Sequence, residues 1–289
     1  MAIRADMDAL PVHEDTGLPF SSRNEGVMHA CGHDAHMAIA LAVARSFAGG
    51  DRHFRGGRVR VFFQPAEESP PGGAVEMIRA GLLDGVDFVL GLHVMSRFPR
   101  GGTVAVYPGP PMMANADQFS VLVRGGKGGH GSAPHETVDA IVVASYLVQA
   151  LQTIVSRNVD PQAAAVVTVG TVRGGGGDRY NIIAEKVEMT GTVRTLDTGV
   201  RDMVRRRMGE VVSGGVCRSF GAECSLDYQE GYPVLVNNPD VVRTVEEVAS
   251  LILGRENVLH PPPDLGGRRL RLLPAEGAGG ILLPGSGKQ

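Results

Sequence analysis

Residues 28–36, MHACGHDAH, place three histidines, one cysteine and one aspartate within nine positions. Thiolate sulfur, imidazole nitrogen and carboxylate oxygen are the ligand types that zinc-like divalent ions take. Gly32, between Cys31 and His33, permits a tight backbone that lets both side chains face one way. A bound cation would also hold Cys31 as its thiolate. The plainer reading is a buried Cys and polar caps ahead of a helix, and this cluster alone does not exclude it. A second cluster follows: the alternating RVRVFF (58–63) runs through Gln64-Pro65-Ala66 into Glu67-Glu68. The carboxyl ends of strands are where α/β folds build their sites. If the pair is extended, consecutive side chains point opposite ways. One carboxylate then binds a cation while its neighbour faces water as a general base. A lone acidic pair is more commonly an exposed loop. A third apolar run, FVLGLHV (88–94), ends with His93 and adds another imidazole. Three such strand ends in series are what a metal centre on an open sheet requires.

The elements that must position these groups follow from the pattern. The opening AIRADMDALP is a short core strand, 35–48 is Ala-rich and helix-favouring, and 73–83 is amphipathic. Strands alternating with helices predict an α/β layer on a mostly parallel sheet. The character changes near PGPPMMAN (108–115). Beyond it come a strand at 119–123, a helix over about 138–156, strands at 165–172 and 187–194, a helix at 200–212 and a strand at 222–228. In the first of these helices Ile141, Val142, Leu147, Val148, Leu151, Ile154 and Val155 keep near a 3.6 period. The order βαββαβ is that of a split, ferredoxin-like module. The expected organisation is therefore an α/β domain of residues 1–115 and 229–289, interrupted by an α+β insertion at 116–228.

Composition narrows the function. The chain has 289 residues and a net charge of −3, so it lacks the field that attracts nucleic acid or anionic lipid. The Arg-rich 201–207 is expected to be the solvated face of a helix. No leader pattern opens the chain, and no run approaches the ~20 apolar residues of a membrane span, so a cytoplasmic protein is expected. Three cysteines, Cys31, Cys217 and Cys224, are an odd count for a disulfide framework, and reduced thiols are the default. Two motifs are decoys. Residues 126–131 fit G-x-G-x-x-G, but Leu151 stands about 20 positions on, where a dinucleotide site needs an acid. Asp15-Thr16-Gly17 and Asp197-Thr198-Gly199 mimic an aspartic-protease pair but read as turns.

HACGHDAH, FFQPAEE, GLHV, GGHGSAPHETVDAI and GTVRT together resemble the amidohydrolase branch of the dinuclear-metal aminoacylase/carboxypeptidase family, over about residues 3–265. The resemblance implies a metallohydrolase catalytic domain plus an inserted lid domain that commonly dimerises. It implies two divalent ions (Zn, Mn, Co or Ni) held by Cys31, His33, Glu68 and His93, with Cys31 bridging. Glu67 matches the family's general base, which deprotonates a metal-activated water, and Asp8 matches the carboxylate that orients a ligand. His130 matches the histidine that reaches a partner subunit's site and stabilises the oxyanion. Asn181 and Arg194 match the pair that grips the free carboxylate of an N-acyl amino acid or small peptide, although Ala184 stands where the family usually has Pro. The expected reaction is amide hydrolysis. The competing expectation is an inactive relative that only binds metal or peptide, or dimerises.

After Leu265-Gly266 the family pattern is lost, and with it a C-terminal metal-binding His. Written with permitted codons and read one nucleotide on, the chain from Gly267 gives GEDFAYFLQRVPG and then ASSFLGRGN, which restores the family's order. A frameshift near residues 265–267 and a missing N-terminal segment are therefore expected, leaving a chain that is poorly stable and nearly inactive. The ligand turn itself yields a direct expectation. Cys31→Ala should lower the metal content, measured by elemental analysis, more than Cys217→Ala or Cys224→Ala; equal content in all three would contradict it.

Overall fold

A computed structural model describes residues 1–49, 56–69, 72–95, 101–107, 109, 111–177, 179–262, 265 and 278–284. In chain order the elements begin β1 (Ala2–Asp6), α1 (His33–Ala48), β2 (Arg60–Gln64), α2 (Gly73–Arg79), β3 (Phe88–Leu92) and β4 (Val104–Ala105). They continue β5 (Ala116–Arg124), β6 (Gly129–His130), α3 (Ala140–Asn158), β7 (Ala165–Gly174), β8 (Ile182–Ile183), β9 (Lys186–Thr195) and α4 (Thr198–Gly209). The last are α5 (Cys217–Ser219), β10 (Glu223–Tyr232), α6 (Pro239–Leu253), β11 (Val258–Leu259) and β12 (Ala278–Pro284). The chain divides into two compact units, one of residues 1–112, 235–264 and 268–289, the other of 113–234 and 265–267.

The first unit is built on a six-stranded sheet of order β11-β4-β12-β3-β1-β2. Every pairing is parallel except β12 with β4, as expected. β1 is central to the site because it lies between β2 and β3, with Asp6 opposite Gln64 and Arg4 opposite Gly91. Ala2, Phe62 and Val89 from these three strands pack with Met77, Ile78, Leu82, Leu83 and Val86. α2 ends at Arg79, short of the expected 83, because Gly81 turns left-handed (φ +85°). The amide of Gly81 then reaches Ile78 O and that of Leu82 reaches Met77 O, closing the helix in a Schellman motif. The tail, in which the sequence shows no amphipathic pattern, supplies β12 beside β3. Apart from Leu265, the residues of the expected frameshift junction lie outside those described.

The second unit is the expected βαββαβ module, an antiparallel sheet of order β10-β5-β9-β7. Asp139 caps α3 by accepting from the amides of Ile141 and Val142. The buried stripe is Ala140, Val143, Ala144, Leu147, Leu151 and Ile154, packed with Phe119, Val121, Val187 and Met189 of the sheet. That placement leaves Ile141 and Val142, two members of the 3.6-period set, exposed. By length and composition alone α3 could cross a membrane, contrary to expectation, but its buried stripe makes it a core helix of this unit.

Two further expectations are corrected here. Arg201 is not part of a solvated face. It is buried and gives Nε and Nη2 to the two oxygens of Asp117, at 2.7 Å each. Asp117, fully buried, also accepts from Tyr228 Oη at 2.7 Å and Gly231 N at 2.9 Å. Burial works against the Arg201 charge, but the bonds and charge of Asp117 outweigh it and raise the guanidinium above its ordinary pKa. Only Arg205, Arg206 and Arg207 lie at the surface, paired with Glu230 and Glu210. Nor are all the thiols reduced. The helical path continues through residues 210–219, and the left-handed Gly221 turns the chain into β10. This brings Cys217 and Cys224 to a Cα–Cα distance of 6.0 Å, where they form a disulfide.

Removing one partner of a buried ion pair strands the other in a dry site, a loss of about 3–5 kcal/mol. Arg201→Met should therefore lower the urea unfolding free energy of the protein by about that amount. An unchanged midpoint and slope would show that Tyr228 and Gly231 suffice for Asp117.

Candidate metal centre

The site is assembled where β1, β2 and β3 end. β1 delivers Asp6, and Asp8 follows two residues on. The loop after β2 carries Glu67 and Glu68, and the loop after β3 carries His93. α1 brings His33 and His36, three positions apart on one helical face. Gly32 caps α1 in a left-handed conformation (φ +82°), and a Cβ there would lie 2.3 Å from Val94 Cγ2. The helix start can press against the β3 loop only because residue 32 is Gly.

Cys31, His33 and His93 offer ligand atoms within 4.8 Å of one another, as do His33, Glu67 and Glu68. His33 stands in both groups and Cys31 in the first. Cys31 Sγ lies 3.3 Å from His93 Nε2. His93 Nδ1 donates to Val94 O at 2.7 Å, which fixes its tautomer and leaves Nε2 with the lone pair. Asp8 holds His33 from behind, with its carboxylate 3.2 Å and its carbonyl 3.0 Å from Nδ1. The other Asp8 oxygen accepts the amide of Glu68 at 2.8 Å, so one carboxylate ties two of the expected ligand positions. His33 Nε2 is buried and has no hydrogen-bond partner among the described residues. A buried imidazole nitrogen oriented by a carboxylate, among sulfur, nitrogen and oxygen donors, fits a zinc-like divalent ion. One detail of the glutamate pair differs from expectation. The segment is a turn, not an extended strand, with Ala66 left-handed (φ +50°), and both carboxylates gather at His33.

Burial, together with the charges of Glu68, Asp6 and Asp8, pushes Glu67 up to about 8 against the pull of Arg4. Burial, with His36 beside it, lowers His93 to about 4. Asp6 behaves oppositely. Burial would raise it, but the His36 hydrogen bond and the charges of Arg4, His36 and His33 hold it well below the usual carboxylate range. Asp6, His36 and Arg4 are participants that the motif reading did not assign. The signal was present in the second His of HDAH and in the apolar-strand carboxylate of RAD. His260, after β11, pairs with Glu246 at 3.0 Å.

The profile of peptidase family M20/M25/M40 matches residues 2–288. The chain belongs to this family. It is 43% identical over 268 residues to thermostable carboxypeptidase 1 of Saccharolobus solfataricus, covering 92% of this chain and 66% of that protein. It is 45% identical over 237 residues to the N-acyl-L-amino acid amidohydrolase of Geobacillus stearothermophilus, covering 82% and 62%. Its fold matches the Bacillus subtilis YXEP protein, a dinuclear metal binding peptidase of the M20 family, with a TM-score of 0.81 and 32% identity over 99% of this chain and 72% of that one. The chain thus spans somewhat under two thirds of the length of these curated relatives.

The remaining expected residues lie in the second unit. His130 and Asn181 are brought together by the β6–β8 ladder, in which Gly131 N donates to Asn181 O at 2.7 Å. His130 Nδ1 accepts from Ser132 N at 3.2 Å, which leaves the proton on Nε2. Arg194 is on β9, outside that ladder, and its Nη1 donates to Asp117 O, Val193 O and Thr192 Oγ1.

The shifted groups imply a pH signature for metal-free protein. Glu67 is raised from 4.5 to about 8, so its stabilising protonated form is complete below 4.5 and is lost as pH rises through 8. His93 is lowered from 6.5 to about 4, so its contribution is present above 6.5 and is lost as pH falls through 4. The two slopes oppose one another up to about 6.5, and only the Glu67 loss remains above it. Thermal and urea unfolding after chelation should show stability falling by about 2 kcal/mol between pH 6.5 and 8. Glu67→Gln should flatten that fall, and an equally steep fall in the variant would assign it elsewhere.

Proposed function

We propose that this chain carries a centre of two divalent metal ions and hydrolyses the amide bond of N-acyl amino acids, or of small peptides with a free carboxylate. The observation that carries the reading is the convergence of Cys31, Glu67, Glu68 and His93 on His33, whose buried Nε2 makes no hydrogen bond among the described residues and faces Asp6 Oδ2 at 3.4 Å and Glu67 Oε2 at 3.9 Å. Membership of a peptidase family and likeness to an N-acyl-L-amino acid amidohydrolase support the substrate class.

Bound divalent ions supply Lewis-acid polarisation and a water acidic enough to ionise near neutral pH. Cys31, His33, Glu68 and His93 would hold them, and Asp8 orients His33. Glu67, buried beside His33, takes the proton of the attacking water on a carboxylate oxygen that the bound cations would keep ionised, and returns it to the leaving amine nitrogen. His130, protonated at Nε2, donates to the carbonyl oxygen as it becomes an oxyanion. Arg194 and Asn181 select the free carboxylate of the substrate, for which a guanidinium fork is suited. A homodimer in which His130 serves a partner's site completes the proposal.

The two glutamates separate the roles. In protein with the reading frame restored, Glu67→Gln should retain metal and lose at least about a hundredfold in turnover of N-acyl amino acids, since general-base contributions are typically of that size. Glu68→Gln should lose metal as well. Metal content and turnover are to be measured on the same preparation. Near-full activity in Glu67→Gln would overturn the base assignment, and metal without turnover in the unaltered chain would make it a binding relative.

A further inference from the structure

Asp6, His33 and His36 form a third gathering of potential ligands, all fully or nearly fully buried. Its chemistry excludes a third ion. Val94 N donates to His36 Nε2 at 2.8 Å, so that nitrogen is the acceptor and the ring proton sits on Nδ1. Nδ1–H in turn donates to Asp6 Oδ1 at 2.5 Å, and the other Asp6 oxygen lies 2.8 Å from Arg4 Nη1. Both His36 nitrogens are used, and the Asp6 charge is already met by a guanidinium. Arg4 is itself held, through Nε, by Gln64 Oε1 at 3.0 Å.

What remains for this relay is the loop it grips. The Val94 amide belongs to the peptide that joins it to His93, and Val94 O accepts His93 Nδ1. The His36 and His93 rings also meet edge to face, with centroids 4.6 Å apart. Resting on the metal-centre reading above, we propose that Asp6 and His36 are positioning residues: Asp6 fixes the His36 tautomer so that Nε2 holds the Val94 amide, and this aims His93 Nε2 beside Cys31. The logic is that of a carboxylate setting a histidine tautomer, displaced here by one residue from the ligand it serves.

Two substitutions divide the relay. In His36→Gln, Oε1 takes the place of Nε2 and keeps an acceptor for Val94, while the bond to Asp6 is lost. In His36→Asn, Nδ2 takes the place of Nδ1 and keeps the donor to Asp6, while Val94 is released. Cobalt(II) is added to each full-length, metal-free protein, and both the affinity and the thiolate-to-cobalt absorption are followed. His36→Asn should lose on the order of 10–100-fold in cobalt affinity, with a weakened thiolate band, as ligand-orienting residues do. His36→Gln should stay close to the unaltered protein. A residue that merely balances the Asp6 charge would give the reverse order. Wild-type affinity and spectrum in His36→Asn, or equal damage in both variants, would overturn the inference while leaving the metal centre standing. No cobalt uptake by the unaltered chain would overturn both. Should the variants fail to fold, nitrogen NMR of the unaltered metal-free protein decides. A scalar coupling across the hydrogen bond from the Val94 amide to an unprotonated His36 Nε2 supports the relay, and a protonated Nε2 overturns it.

Discussion

The parallel register of β1 with β2 and β3 is the constraint on which the first unit's chemistry depends. Asp6 opposite Gln64 and Arg4 opposite Gly91 bring three carboxyl ends level on one edge of the sheet. Parallel strands joined by crossovers project their following loops in the same direction. The loops after β1, β2 and β3 therefore start side by side, carrying Asp8, Glu67-Glu68 and His93. A slip of one residue in β1 would turn its buried Arg4 and Asp6 to the opposite face and dismantle the support beneath α1. The register thus sets both which residues meet and how well they are held.

Much of this was legible because it was local. The ligand turn, the acidic pair and the third strand end are each read from a few adjacent residues, and their order on a parallel sheet follows from alternation of strand and helix. The βαββαβ module was legible for the same reason. What could not be read is what depends on long-range pairing. Arg201 looks like one more exposed charge in VRDMVRRR, and only Asp117, 84 positions earlier, makes it a buried ion pair. The Cys217–Cys224 link depends on the reversal at Gly221 between helix and strand, which a cysteine count does not register. β12 pairs with β3 along its length, and its sequence, AGGILLP, carries no alternation from which that pairing could be read.

The two units solve the problem of buried charge differently. Around Asp117 the account closes: two guanidinium bonds, a phenol and an amide meet the carboxylate, and the result is a rigid polar core under β5, β10 and α4. Around His33 it does not. Asp6, Asp8, Glu67 and Glu68 crowd one corner in which Arg4 is the cation acting on both Asp6 and Glu67, and Glu67 answers by retaining its proton. Like charges brought together in a dry site destabilise the fold unless a cation joins them.

That difference separates a structural network from a functional one. A network that is satisfied by its own residues gains nothing from a ligand, whereas one with a buried imidazole nitrogen that makes no hydrogen bond, beside repelling carboxylates, would be completed by a divalent ion. Gly32 sharpens the distinction. Its left-handed turn lets the first turn of α1 meet Val94, so Cys31, His33, His36 and the His93 loop form one tightly packed corner with little room to collapse. Without that contact the imidazoles could drift apart and find partners of their own, and the strain of the acidic corner would be relieved by rearrangement. With it, the frame persists and the donor groups stay where an ion would find them.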